Sequence, residues 1–138
     1  EKFNIGLAVS IPQGLVVPVV KDAGNKNIAV ICRETKGLIQ KARENKLQLS
    51  DLEGACITVS NLGDFGADSF IPIMIPGQAA ILGVGRISET CMPNFGEVVI
   101  RKLMSLTISA DHRIANGAYA AQFLDFVKKY LEDAAHFA

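Results

Sequence analysis

The chain has 138 residues, 49% of them apolar, and its 14 basic and 14 acidic residues give a formal net charge of zero. A length and composition of this kind predict one globular domain with a sizeable core. The balanced charge excludes the strongly basic surface that is typical of proteins binding nucleic acid or anionic membranes.

Two strands are the first predicted elements. Apolar residues alternate with small or polar ones over 3–11, which is typical of a half-buried strand, and a turn at 12–14 leads to an apolar run at 15–20. Pro18 lacks a backbone donor, so we expect it at an edge, a bulge or a strand end. The apolar positions of the first run are Phe3, Ile5, Leu7, Val9 and Ile11.

A helix and a short helical turn are predicted next. The polar residues 25–27 are suited to cap a helix running from about Ile28 to Asn45, in which apolar residues recur at helical spacing. Ser50 and Glu53 match the capping-box pattern, and this pattern predicts a short helical turn at that point.

The middle of the chain is predicted to be mostly β-structure. A strand is expected over 55–59, followed over 63–77 by a partly buried loop in which glycines, prolines and apolar residues mix without a clear period. Residues 79–87 predict a buried strand whose glycines allow a backbone or a ligand to approach closely. After a turn at 93–96, alternation over 98–108 predicts one long strand.

An amphipathic helix over 117–135 completes the pattern, and the elements together predict one α+β domain. The chain contains no run of about 20 apolar residues and no signal-peptide pattern, so we expect a soluble, cytoplasmic protein, or a matrix protein if the source is mitochondrial. Three cysteines without metal-ligand spacing favour a reducing compartment and predict no metal site. They are Cys32, Cys56 and Cys91.

The stretch "SADHRIANG", residues 109–117, concentrates polar side chains between the long strand and the last helix. Residues at such a junction can project from a rigid element into a cleft. A neutral imidazole suits a general base at pH 7, which makes His112 a candidate. The residues alone nevertheless favour a capping or packing role for His112, with Asp111 as a helix cap and Arg113 as its partner.

The segment "DHRIANG" resembles the DHRxxDG signature of the dihydrolipoamide acyltransferases, the core subunits of 2-oxo acid dehydrogenase complexes, and more distantly that of chloramphenicol acetyltransferase. The segments "NIGLAVSIPQGLVVPVVKDA", "ITVSNLGDFGADSFIPIMIPGQAAILGVGRI" and "LTISADHRIANGAYAAQFL" resemble the same catalytic domain in the same order. The resemblance implies a chloramphenicol acetyltransferase-like mixed sheet flanked by helices. It also implies that 1–138 is the C-terminal portion of the domain, without its N-terminal part, a lipoyl domain or a peripheral-subunit-binding domain.

The resemblance assigns chemistry to particular residues. His112 matches the general base that takes the thiol proton of coenzyme A or dihydrolipoamide, after which the thiolate attacks the thioester directly. Ser60 matches a hydroxyl that stabilises the oxyanion, although the residues alone favour a strand-end serine bonded to its own backbone. Leu82, Gly83 and Gly85 match the region near the channel for the pantetheine arm of coenzyme A, where absent side chains would let a thin chain pass.

Asn116 departs from the signature, in which most members have aspartate. Asparagine loses the charge, keeps an oxygen acceptor and adds two donors. We therefore place Asn116 among the site residues in a structural role, orienting the loop or the histidine ring. Asp111 and Arg113 are expected to form a local charge pair, and Gly117 to permit a tight turn into the helix.

The resemblance also implies partners. These are a homotrimer in which the histidine of one subunit faces the serine of its neighbour, a cubic or dodecahedral core built from trimers, lipoyl domains carrying lipoamide, and the 2-oxo acid dehydrogenase and dihydrolipoamide dehydrogenase subunits. Acetyl is the expected acyl group, with succinyl and branched-chain groups as alternatives. Two other interpretations stay open: a non-catalytic core homologue that anchors another enzyme, and a free-standing acetyltransferase of the chloramphenicol type.

Overall fold

The computed structural model describes residues 2–137, which form nine strands, three α-helices and three short 3₁₀ turns. The strands are β1 (Ile5–Leu7), β2 (Val9–Ile11), β3 (Gly14–Val16), β4 (Val19–Val20), β5 (Ile57–Asn61), β6 (Ala80–Val84), β7 (Ser88–Asn94), β8 (Glu97–Leu103) and β9 (Leu106–Ala110). The helices are α1 (Ile28–Arg43), α2 (Leu49–Leu52) and α3 (Gly117–Glu132), and the 3₁₀ turns are Ala23–Asn25, Gly63–Phe65 and Ala134–Phe137.

A five-stranded mixed sheet in the order β4-β1-β5-β6-β9 forms the centre of the fold. The pairs β1·β5 and β5·β6 are parallel, whereas β4 and β9 run antiparallel to their neighbours. Two separate hairpins, β2·β3 and β7·β8, extend from this sheet. This mixture of a central sheet with flanking helices confirms the predicted α+β class.

The two long runs of alternation are each divided between two sheets, so the single strands predicted over 3–11 and 98–108 are wrong. The first run gives β1 in the central sheet and β2 in a hairpin, and the second gives β8 in a hairpin and β9 in the central sheet. β7 was not predicted at all, because it is polar and contains Pro93. Pro18 lies between β3 and β4, at a strand end as expected.

The helices begin where polar side chains accept backbone N–H groups. Asn27 caps α1 by accepting a hydrogen bond from Val30 N at 2.9 Å, as predicted. The capping box of α2 is formed by Gln48 and Asp51, so the box predicted at Ser50 and Glu53 is wrong. Both long helices are shorter than expected, ending at Arg43 and Glu132.

The helices and strands enclose a core that lies along the central sheet. α1 packs against β2 and β4, and α3 packs against β9. Among the described residues no helix is long and apolar enough to cross a membrane. The buried apolar side chains are Val9, Val19, Val20, Leu38, Ala42, Ala80 and Ile81.

An irregular segment, residues 67–75, lies across one face of the central sheet, and we call it the strap. Thr107 Oγ1 on β9 donates to the carbonyl of Phe70 at 2.7 Å, and Ser109 Oγ donates to that of Pro72 at 2.6 Å. Arg86 Nε donates to Asp68 Oδ1 at 2.5 Å. These contacts hold the strap against β6 and β9 although it has no regular secondary structure.

Glycine is required where the strap approaches β6 most closely. A Cβ atom at Gly85 would overlap the backbone carbonyl of Asp68, which cannot move as a flexible side chain can. We expect Gly85→Ala to destabilise the protein by about 1–3 kcal/mol in urea unfolding. Gly37→Ala is the matched control, because its Cβ would meet nothing within 4 Å inside α1, and it should stabilise by about 0.5–1 kcal/mol. Equal urea midpoints for the two variants would contradict this explanation.

Candidate active site

His112 occupies the corner of a tight turn at the end of β9. Asp111 N donates to the carbonyl of Ala79 at 3.0 Å, which extends the ladder between β6 and β9 by one residue. The Asp111 carbonyl then accepts from the amides of Ile114 and Ala115 at 2.8 and 2.9 Å, closing the turn. Within residues 2–137 no hydrogen-bond partner is found for the His112 ring, which is exposed. The turn therefore presents the imidazole without engaging either nitrogen.

Asp111 and Arg113 form the local charge pair that the sequence predicts. Arg113 Nε lies 2.9 Å from Asp111 Oδ1 and Nη2 lies 2.6 Å from Oδ2, and the Arg113 amide also donates to this carboxylate at 3.0 Å. The guanidinium, followed by the amide, lowers the pKa of Asp111 to about 2. The Asp111 carboxylate thus stabilises the turn, and it does not cap a helix.

Asn116 is the N-cap of α3. Its side-chain oxygen accepts a hydrogen bond from Tyr119 N at 2.9 Å, and its backbone is extended, as an N-cap requires. The expected structural role therefore takes the form of helix capping, and no hydrogen bond joins Asn116 to the ring of His112. Gly117 has no left-handed backbone and open space at its Cβ position, so the expectation that this turn needs a glycine is wrong.

The capping role predicts the effect of changes at Asn116. Asn116→Ala leaves the Tyr119 amide without its acceptor and should cost about 1 kcal/mol in urea unfolding. Asn116→Asp keeps an oxygen acceptor and adds a negative charge at a helix N-terminus, so it should be at least as stable as the original chain. If Asn116→Asp lowers the free energy of unfolding as much as Asn116→Ala does, Asn116 does not stabilise the protein by capping α3.

Ser60 lies on β5, one residue before the strand ends, and its side chain is half-buried. No partner for its hydroxyl is found in the described part of the chain. In the turn that follows β5, the hydrogen bond comes from the next residue, because Asn61 Oδ1 accepts from Gly63 N at 2.8 Å. Within the described residues the Ser60 hydroxyl therefore makes no bond to its own backbone, contrary to the alternative interpretation, and it is available to a ligand.

Gly83 of β6 and Gly85, which follows it, leave the space that the strap occupies. A Cβ atom at Gly83 would overlap Thr107 Oγ1 and come within 3.1 and 3.3 Å of the Phe70 ring, while the space at Gly85 is filled by Asp68. The passage for a pantetheine arm expected beside these two glycines is thus closed by the chain itself. Leu82 faces the opposite side of the sheet and is half-buried, and its contact with coenzyme A stays a prediction.

Ser60 and His112 lie at opposite ends of the central sheet. Ser60 is paired with Gly83, three residues along β6 from Ala80, which is paired with Ala110. Three residues along the strands and two strand spacings across them place the Cα atoms of Ser60 and Ala110 about 14 Å apart. His112 follows Ala110 on the side away from Ser60, so the two side chains of one chain cannot share a substrate carbonyl.

Sequence reasoning missed the polar contacts that support this region. Thr58 is fully buried, and its hydroxyl donates to Gln78 Oε1 at 2.6 Å, which fixes the residue that leads into β6. The sequence signal that could have indicated these contacts is the presence of hydroxyl residues at alternate positions of β9, Thr107 and Ser109. Both lie on the face of the sheet that also carries Thr58. No group of three or more metal-ligating side chains occurs among the residues that the structure describes.

Comparisons with known protein sequences match this chain over nearly its whole length. The family described as 2-oxoacid dehydrogenases acyltransferase (catalytic domain) matches residues 1–138. The dihydrolipoyllysine-residue acetyltransferase component of pyruvate dehydrogenase complex from Rickettsia felis is 43% identical over 135 residues, which cover 98% of this chain and 33% of that protein. The component of the same name from Bacillus subtilis is 42% identical over 131 residues, covering 95% and 30%. The chain spans about a third of the length of these relatives.

Solved structures share the fold. Dihydrolipoamide acetyltransferase from Azotobacter vinelandii superposes with a TM-score of 0.93 at 35% identity, covering 100% of this chain and 57% of that one. The cubic core of the pyruvate dehydrogenase multienzyme complex gives 0.93 at 36% identity with the same coverage, and a truncated catalytic core from Thermoplasma acidophilum gives 0.85 at 41%, covering 96% and 58%. The Azotobacter study concerns a serine, a histidine and an asparagine in the catalytic mechanism, separated by 52 and then 4 positions.

Proposed function

Because the chain belongs to the 2-oxoacid dehydrogenase acyltransferase family, we propose that it is part of an enzyme that moves an acetyl group between dihydrolipoamide and coenzyme A. One observation carries the assignment of residues. Ser60, His112 and Asn116 have the same types and separations, 52 and then 4 positions, as the three residues studied in the Azotobacter enzyme. The acetyl group is favoured because the relatives are named acetyltransferases.

The chemistry needs a base and an oxyanion donor. The imidazole of His112 takes the proton of the incoming thiol, and the resulting thiolate attacks the carbonyl carbon of the thioester. The tetrahedral oxyanion accepts a hydrogen bond from the hydroxyl of Ser60. As the intermediate collapses, the carbon–sulfur bond to the leaving thiol breaks, and this thiolate regains a proton from the His112 imidazolium. Coenzyme A and the lipoamide of a separate lipoyl domain are the two thiol substrates.

A second copy of the chain completes this site. The separation of Ser60 from His112 across the sheet supports a site at which the histidine of one subunit meets the serine of another. Two exposed apolar side chains on the strap, Ile71 at 86% and Ile73 at 89%, are suited to an interface of this kind. A homotrimer is the assembly we propose, and the similarity of this chain to the solved cubic core of a pyruvate dehydrogenase complex supports a larger cubic core built from such trimers.

The wider assignment follows from the same relatives. Lipoyl domains, a 2-oxo acid dehydrogenase and a dihydrolipoamide dehydrogenase are the proposed partners, in a pyruvate dehydrogenase complex of the bacterial cytoplasm. The presence of both His112 and Ser60 disfavours a non-catalytic anchoring homologue. The match of the whole chain to the 2-oxoacid dehydrogenase family disfavours a free-standing chloramphenicol-type enzyme.

The activity is tested on the assembled full-length protein that contains this chain. We expect transfer from acetyl-CoA to dihydrolipoamide, with slower transfer from succinyl-CoA and isobutyryl-CoA. Absence of transfer from all three donors, in a protein that still forms trimers, would overturn the enzyme assignment and leave a structural core subunit.

The shared site is tested by mixing two inactive variants. Ser60→Ala and His112→Ala chains, unfolded together in equal amounts and reassembled, should regain about a quarter of the original activity, because about one site in four receives both intact residues. Each variant reassembled alone is the control and should stay inactive. No recovery in correctly sized mixed trimers would place both residues of a site in one chain.

A further inference from the structure

Thr58, near the start of β5, is a polar residue whose side chain is fully buried in the central sheet. Its hydroxyl donates to Gln78 Oε1 at 2.6 Å, which is a well-formed O–H···O hydrogen bond. A Cβ atom at Gly6, the residue paired with Thr58 on β1, would overlap Thr58 Oγ1, so glycine leaves the space that the hydroxyl occupies. Because a buried hydroxyl is costly without a partner, this bond holds the Gln78 side chain against β5.

The bond lies where the chain enters β6. Residues 76–77 form a turn in which Gly77 has a left-handed backbone, and Gln78 is the residue that follows this turn. Thr58 is paired with Ile81, three residues after Gln78, so the Gln78 side chain extends along the start of β6 to reach the hydroxyl. The bond therefore ties the first residues of β6 to the neighbouring strand.

Ala79, between Gln78 and β6, connects this bond to the turn that carries His112. The amide of Ala79 donates to a carbonyl of the chain leading into β5 at 2.9 Å, and its own carbonyl accepts from the amide of Asp111 at 3.0 Å. Asp111 directly precedes His112, and its carbonyl closes the turn. A displacement of Gln78 and Ala79 would therefore move the backbone that carries the imidazole.

We propose that Thr58 and Gln78 are positioning residues for the base His112, a proposal that rests on the proposed function. The Thr58 side chain is 0% exposed, so it acts on a thiol substrate only through other groups. The imidazole has no hydrogen-bond partner within residues 2–137, so its placement depends on the backbone of its turn. A general base must lie within hydrogen-bond reach of the thiol, and a displacement of about 1 Å can lower the rate by about 100-fold.

The first test is the kinetics of Thr58→Val in the assembled full-length protein. Valine keeps the branched shape but leaves Gln78 Oε1 without its donor. It should lower kcat for acetyl transfer by about ten-fold or more, with KM within about two-fold of the original. Thr58→Ser keeps the hydroxyl and should restore most of kcat. Thr90→Val is the matched control on an exposed strand of the β7·β8 hairpin, and it should leave kcat unchanged.

Thr58 also lies two residues before Ser60 on β5, so an effect on the base must be distinguished from one on the oxyanion donor. If Thr58 acts through the imidazole, Thr58→Val should change kcat by less than about two-fold in a protein that already carries His112→Ala. It should keep its full effect in a protein that carries Ser60→Ala. An undiminished effect in the His112→Ala background would overturn the proposal.

Hydrogen exchange of the Asp111 amide gives a readout that does not depend on activity. Thr58→Val and Gln78→Met should each raise its exchange rate by about ten-fold or more, because the bond to Ala79 would open more often. Thr90→Val should leave this rate unchanged. Unchanged exchange in both Thr58→Val and Gln78→Met would overturn the proposed link between the buried bond and the turn.

The outcomes separate this inference from the proposed function. If the original protein transfers no acyl group, the proposed function fails, whereas exchange of the Asp111 amide still decides whether Thr58 holds the turn. If it transfers acetyl and Thr58→Val has an unchanged kcat, only the positioning role is overturned. Should Thr58→Val not assemble, Gln78→Met carries the same measurements. Failure of both variants to assemble would assign the pair to the fold and overturn its role in positioning the base.

Discussion

His112→Ala should lower kcat/KM for acetyl transfer by at least about 100-fold. The imidazole is the one group in the exposed turn that can accept the thiol proton at neutral pH, and general-base catalysis contributes about 10²–10⁴-fold. The measurement is the rate of transfer from acetyl-CoA to dihydrolipoamide by the assembled full-length protein. The turn itself is held by Asp111 and Arg113, so the variant should fold and assemble normally.

His136→Ala is the matched control for this prediction. The ring of His136 stacks on Tyr130 with centroids 3.9 Å apart, near the end of the chain. Its loss should leave the rate of transfer within a few-fold of the original. Retention of more than a tenth of the activity in His112→Ala would remove the proposed base from the mechanism.

Ser60→Ala should reduce kcat by about 100- to 1,000-fold with little change in KM. The hydroxyl has no partner within residues 2–137, so it is free to donate a hydrogen bond. In the proposed mechanism it donates this bond to the oxyanion that forms in the transition state. An interaction made only in the transition state affects kcat and not substrate binding. Steady-state kinetics on the assembled protein measure both constants.

Ser60→Thr tests the hydroxyl separately from the shape of the residue. Threonine keeps an O–H donor and suits a strand, so this variant should recover most of the kcat that alanine loses. A threonine variant as slow as the alanine variant would show that the hydroxyl is not the donor. Equal increases in KM for both variants would instead indicate a role in substrate binding.

The fold was predictable to the extent that it depends on local patterns. Asn27 begins a helix because its side chain caps the first turn, and Pro18 marks a strand end because it lacks a donor. The division of 3–11 and 98–108 between sheets was not predictable, since period-two alternation continues when a strand passes from one sheet to another. Which sheet a strand joins depends on distant pairing partners.

The site was only partly accessible from the sequence. His112 and Ser60 were identified through resemblance, because neither spacing nor residue type distinguishes them from packing and turn residues. Their positions at opposite ends of the sheet follow from the pairing of β5, β6 and β9, which periodicity does not determine. Gly83 was misinterpreted because the segment covering it is irregular and gives no periodic signal.

The distance between Ser60 and His112 has a genetic consequence. In an assembly with shared sites, each chain supplies a histidine to one site and a serine to another. An allele that changes only Ser60 or only His112 inactivates one site for each mutant chain, because each chain supplies each residue to a single site. An allele that distorts β6 affects both ends of the sheet, so a cell making equal amounts of normal and mutant chains would keep about a quarter of its sites. Such an allele would behave as dominant although it encodes no toxic activity.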